Sequence, residues 1–136
     1  MTTGAQNPVN APSPLVVYIV DDDASVRTAL SRLMRSAGFV PKAFENPRKF
    51  LGEVSSERPA CLLLDMTMPH ATGLDVQAQL KRREISLPVI GVSAHDDEGT
   101  RRLARELGAQ FFLRKPVDDQ ALFDAIAWVT GSHEEP

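Results

Sequence analysis

The chain has one cysteine, one tryptophan and one tyrosine among 136 residues. A lone Cys61 cannot build an internal disulfide framework or a cysteine-rich zinc site, which points to a reducing compartment, the cytoplasm by default. No stretch of about 18 apolar residues occurs, and the opening TTGAQNPVNAPSP has neither a charged start nor an apolar centre. Neither a membrane span nor a standard secretion signal is therefore expected. Positive charge is also scarce: 15 Lys and Arg stand against 18 Asp and Glu, for a net charge of −3. No basic block extends beyond Lys81-Arg82-Arg83, so composition makes no electrostatic case for nucleic-acid binding. The phosphate-cradling patterns GxxxxGK[ST] and GxGxxG are absent, which argues against the common nucleotide-binding folds.

What is present fits one domain with a full hydrophobic core. Residues 1–14, rich in Pro, Asn and small side chains, read as a disordered leader, residues 15–131 as the domain and residues 132–136 as a tail. Five short apolar runs are strand candidates: LVVYIV (15–20), VPKAF (40–44), CLLL (61–64), PVIGVS (88–93) and QFFLR (110–114). Each precedes an amphipathic stretch. In residues 24–37, Val26, Ala29, Leu30, Leu33, Met34 and Ala37 repeat at the spacing of one buried helix face, and Gly38 supplies the stop. Asn46-Pro47 reads as an N-cap followed by a first-turn proline, and residues 73–83, 97–107 and 117–129 complete the helices. Continuous apolar strands alternating with helices predict an α/β fold, a parallel five-stranded sheet covered on both faces.

The polar residues fall where the strands end. Asp21 and Asp22 follow the first strand, Asp65 the third, Ser93 closes the fourth and Lys115 follows the fifth. The carboxyl ends of parallel strands share one edge, so these residues converge. Like charges about 4 Å apart repel by ~4 kcal/mol even at an effective dielectric of 20, so such a cluster needs a cation. An oxygen-only site without placed His or Cys suits Mg²⁺ better than zinc. With the metal beside it, a carboxylate can attack a phosphoryl donor while Lys115 and the Ser93 hydroxyl take up charge on the phosphoryl oxygens. Asp65, a lone acid on what should be the central strand, is the best nucleophile. Asp23 stands one position further on and reads as a helix N-cap.

Five linked features, VDDD, LLLDMTMPHATG, VSA, the aromatic three residues before the lysine, and KP, make residues 15 to about 130 resemble a receiver domain of two-component response regulators, the CheY-like, flavodoxin-like (βα)5 fold. The wider wording is most similar to receivers of the nitrogen-fixation-regulator type. The resemblance implies strand order 2-1-3-4-5 and Asp65 as the phospho-acceptor. It implies Mg²⁺, with Mn²⁺ as a substitute, bound by Asp22, Asp65 and the backbone carbonyl of Thr67, and by Asp21 through water. Ser93 would be the switch hydroxyl, Phe112 the switch aromatic and Lys115 the phosphate partner, with a cis peptide before Pro116. Phe111 should point to the opposite face, and one of the two aromatics should be more exposed or more mobile. His95 and Met68 are expected at the site mouth. Partners would be a histidine kinase or histidine phosphotransfer protein, and then a downstream target or a second copy through the face made by the fourth helix, fifth strand and fifth helix. On that face Arg101, Arg102 and Arg105 are set against Asp118, Asp119 and Asp124.

Such a chain is a signalling switch rather than an enzyme, with only self-catalysed phosphoryl transfer and dephosphorylation. Phosphohydrolases resembling the haloacid dehalogenase family need a second acid two residues after the nucleophile, and Thr67 occupies that place. The alternative is a pseudo-receiver, an interaction module independent of phosphorylation. Ser at position 93 in place of the commoner Thr keeps the hydroxyl, while His70-Ala71-Thr72 and Val117 depart from the usual loop and the frequent Phe. His70 and His133 read as surface residues and Cys61 as packing. Trp128 either seals the last helix or lies on an interaction face.

Overall fold

A computed structural model describes residues 14–55, 59–68, 73–94 and 98–131. Strands β1 (Val16–Val20), β2 (Val40–Phe44), β3 (Ala60–Asp65), β4 (Val89–Ser93) and β5 (Ala109–Arg114) alternate with helices α1 (Ala24–Ser36), α2 (Pro47–Glu53), α3 (Gly73–Arg82), α4 (Glu98–Glu106) and α5 (Asp119–Val129). The strands form one sheet in the order β2-β1-β3-β4-β5, all neighbours parallel, as expected. Element ends move by one or two residues from the sequence reading. The fifth helix begins only at Asp119, because Asp118 caps it by accepting the Ala121 N–H. The expected leader over residues 1–13, His70-Ala71-Thr72, His95 and the expected tail over residues 132–136 with His133 lie outside the described residues.

Side chains alternate along the strands and build two core layers. On one face Tyr18, Leu62 and Leu64 pack with Phe50 of α2, Val76 and Leu80 of α3 and Ala104 of α4. On the other, Ile19, Cys61 and Leu63 pack with Met34 of α1 and Leu122 and Ile126 of α5. Cys61 is fully buried, as its position in an apolar strand implies.

Helix α1 corrects one expectation. Only Met34 of its apolar stripe is fully buried; Val26, Leu30 and Leu33 are half-buried, and Ala29 and Ala37 are exposed. The stripe instead forms one wall of an open groove completed by Val92, Pro116 and Val117. Periodicity identifies a stripe without saying how far its neighbours cover it. The caps follow the sequence: Asn46 accepts from the Lys49 N–H with Pro47 at the first turn, and Gly38 beyond α1 has φ +90°.

The proline within β2 is accommodated by ladder geometry. The Val40 N–H donates to the Leu15 carbonyl at 2.9 Å and the Asp21 N–H to the Phe44 carbonyl at 3.2 Å. Alternate residues of β2 therefore bond to β1, while Pro41 and Ala43 turn their backbone to the outer margin. There a missing N–H leaves no gap in the sheet. Between β4 and β5 the register slips, with Ile90 opposite Phe111 and Gly91 opposite Phe112.

Candidate functional site

Register brings the acids together. Val20 pairs with Leu64, so the next residues on those strands, Asp21 and Asp65, emerge side by side. Asp65 in turn pairs with Val92, the neighbour of Ser93, and the Lys115 N–H donates to the Ser93 carbonyl at 2.9 Å. The peptide bond between Lys115 and Pro116 is cis. Lys115 Nζ lies 2.9 Å from Asp21 Oδ2 and 3.5 Å from Asp65 Oδ2. The lysine thus bridges two acids, a contact that sequence alone did not supply.

The three aspartates of the VDDD run separate in role. Asp21 is buried, and its second oxygen accepts the Asp23 N–H at 2.9 Å. Asp22 is exposed at the rim. Asp23 caps α1, accepting from the Ser25 N–H and hydroxyl and the Val26 N–H, and these bonds, the Ser25 hydroxyl first, hold its carboxyl below the usual value. The loop carrying them is fastened by Arg27, whose Nη1 donates to the Asp21 carbonyl at 2.8 Å.

Asp65 ends the central strand with 3 % of its surface exposed. Its Oδ1 accepts from the Thr67 N–H at 3.1 Å and the Thr67 hydroxyl at 3.3 Å. Burial raises its carboxyl above the usual value, and the negative charge of Asp21 adds to this against the opposing Thr67 N–H and Lys115. For Lys115 burial alone would lower the ammonium, but bonds and charges from Asp21 and Asp65 outweigh it and the net shift is upward.

Carboxylate oxygens of Asp21, Asp22 and Asp65 lie within 4.8 Å of one another. Three carboxylates against one ammonium leave an excess of two negative charges on hard oxygen donors, which fits a divalent cation. Ser93 is half-buried at the end of β4, facing Arg114 across the ladder. Met68, expected at the mouth, is buried in the layer that holds Tyr18 and Phe50.

Phe111 and Phe112 do lie against opposite layers, but both are half-buried, so exposure does not separate them. Phe112 is the one held in a special setting. A Cβ on Gly91 would come within 2.8 Å of its ring, and the Arg105 guanidinium carbon lies 5.8 Å from the ring centroid. A lone glycine inside an apolar strand is the sequence signal for such an approach. Of the charges expected to face a second copy, Asp118 is engaged as a helix cap, Asp124 accepts from Gln120, and Arg101 lies 3.7 Å from Glu98. Trp128 is 55 % exposed, so it does not seal α5 to the body.

The sequence profile of the response regulator receiver domain matches residues 17–127. The chain belongs to that family. Nodulation protein W of Bradyrhizobium diazoefficiens is 38 % identical over 120 residues, covering 88 % of this chain and 53 % of that protein. The structure of the response regulator StyR shares 39 % identity with a TM-score of 0.82, covering 88 % of this chain and 61 % of that one. The crystal structure of FixJ-N shares 28 % identity with a TM-score of 0.79, covering 91 % and 98 %. This receiver domain spans about half the length of the curated relatives it matches. Among its described residues no helix is long and apolar enough to cross a membrane.

Proposed function

We propose that this receiver domain is a phosphorylation switch with Asp65 as the acceptor, acting in the cytoplasm and not as an enzyme on an external substrate. The observation that carries the reading is the bridge from Lys115 Nζ to Asp21 and Asp65 beside Asp22 at one sheet edge. A histidine kinase or histidine phosphotransfer protein presents a phosphohistidine. An Asp65 oxygen attacks phosphorus, the P–N bond breaks, and the imidazole leaves with the electron pair. Lys115 turns from the Asp65 carboxylate to the phosphoryl oxygens, and the Ser93 hydroxyl donates to another. A divalent cation, Mg²⁺ or Mn²⁺, held by Asp22, Asp65 and the Thr67 carbonyl and reached by Asp21 through water, would supply the remaining positive charge. Both Asp21 oxygens already accept bonds from the protein, which favours an indirect role for that residue.

Recruitment of Ser93 draws in the loop after β4, and Phe112 turns into the space released. The α4-β5-α5 face is remodelled, and its affinity for a downstream target or a second copy changes. The test is incubation of the full chain with acetyl phosphate and Mg²⁺. The expected result is the mass gain of one phosphoryl group, removable by hydroxylamine and lost in Asp65→Asn. No gain, or a gain that persists in the variant, overturns the assignment and leaves the phosphate-independent interaction module. Gel filtration with a phosphoryl mimic reports whether the remodelled face pairs two copies.

A further inference from the structure

Gln77 is the polar member of an otherwise apolar stripe on α3, in register with Gly73, Val76 and Leu80, and it is 2 % exposed. Its Nε2 donates to the carbonyl of Ala104 at 2.9 Å, and its buried Oε1 has no hydrogen-bond partner among the described residues. The placement is informative because Ala104 is the one fully buried residue of α4, a nine-residue helix otherwise made mostly of charged and small side chains. The Ala104 carbonyl belongs to the last turn of α4 and also accepts the Leu107 N–H at 3.2 Å, so Gln77 adds a second bond to the same oxygen. A side chain from α3 is therefore fastened to the end of α4 at the point where that helix touches the core. Helix α3 is itself seated on the residue after Asp65. Gly73 packs so closely on Met66 that a Cβ would lie 2.6 Å from its sulfur and 3.0 Å from its Cα, and the Gly73 N–H donates to the Met66 carbonyl at 3.5 Å.

We infer that Gln77 is a positioning residue of the switch, tying α4 through α3 to the strand that carries Asp65 and setting how readily α4 moves. The inference rests on the reading of Asp65 as phospho-acceptor. A fully packed amide holds its partner in one place, so displacement of the last turn of α4 breaks the bond. An amide satisfied on one side only is also one that this arrangement does not hold at its best, so the tether can release. The coupling runs on the α3 side of α4, within the core layer against which Phe112 also packs.

The test compares the wild-type chain with Gln77→Met, which keeps the volume and removes the amide's donor and acceptor. Hydrogen exchange of residues 98–106 is expected to quicken by about five- to tenfold, the effect of losing one hydrogen bond, with β1 and β3 unchanged. Labelling of Asp65 by acetyl phosphate is expected to quicken by a similar factor. Exchange that rises equally in every element, or labelling at the wild-type rate, overturns the inference and leaves an ordinary packing bond. If Gln77→Met does not fold, Gln77→Leu takes its place with the same two outcomes. A wild type that takes no phosphoryl group overturns the reading of Asp65 instead, and the exchange of α4 then still decides whether Gln77 holds that helix.

Discussion

Replacing Lys115 by Met removes the cation between two carboxylates while keeping most of the side-chain volume. Asp21 and Asp65 have side chains only 4 % and 2 % exposed, so their charges are poorly hydrated without it. Deleting one partner of a buried ion pair costs about 3–5 kcal/mol. The Lys115 side chain is 23 % exposed and its contact with Asp65 is loose at 3.5 Å, so the cost falls to the bottom of that range or just below it, about 2–3 kcal/mol. For a domain of this size that is a fall of about 8–12 °C in melting temperature. The assay is thermal unfolding by circular dichroism at pH 7 in a chelator. Added Mg²⁺ should narrow the gap, because a native-state ligand at 100 times its Kd contributes about 2.7 kcal/mol, and the variant site, free of the competing ammonium, should bind it more tightly. Acid should narrow the gap too. The Asp65 carboxyl lies above its unfolded value of 3.8 and rises further without Lys115, so the folded state takes up its proton first. The share of the deficit belonging to Asp65 is complete above that raised folded value and disappears by the time pH reaches the unfolded one. A variant as stable as wild type in chelator, or a deficit indifferent to both Mg²⁺ and pH, would refute the reasoning.

Gly91→Ala places a methyl group 2.8 Å from the Phe112 ring and should cost about 1–3 kcal/mol, seen as a lower melting temperature with a changed near-ultraviolet spectrum; an unchanged spectrum would show that the ring is not confined there. Phe50, fully buried and edge-on to Tyr18 at 5.4 Å and to Phe44 at 5.8 Å, should lose about 3–5 kcal/mol as Phe50→Ala while acetyl phosphate labelling of the folded fraction persists. The Cys61 thiol is buried and pushed up to about 12 by that burial, so disulfide reagents should modify it only as fast as the chain opens; rapid modification of native protein would contradict the packing.

The sheet and most of the site were legible because both depend on patterns local in sequence. Apolar runs such as LVVYIV need burial on both faces, and parallel connectivity then carries Asp21, Asp65, Ser93 and Lys115 to one edge wherever the helices lie. Gly38 marked the end of the first helix because its φ angle of +90° suits glycine. What escaped depends on distances between elements. The stripe of α1 looked like a buried face, yet Ala29 and Ala37 are exposed, since coverage is decided by what packs opposite. Lys115 reads from sequence as a phosphate partner, and its bridging of two acids needed coordinates. Gln77 had a signal that went unread, a polar residue on the apolar face of its helix. The closeness of Gly73 to Met66 had none.

The outward-facing Pro41 makes the two margins of the sheet unequal. On the β2 side the outer row can donate from Ala43 but not from the proline, so an incoming strand would find one of its rungs missing. The β5 side has no proline to interrupt it. Two copies that joined β5 to β5 would each present the proline margin outward, where a further strand pairs with one rung fewer. One residue in an edge strand thus makes one margin of the sheet a poorer template for strand addition than the other.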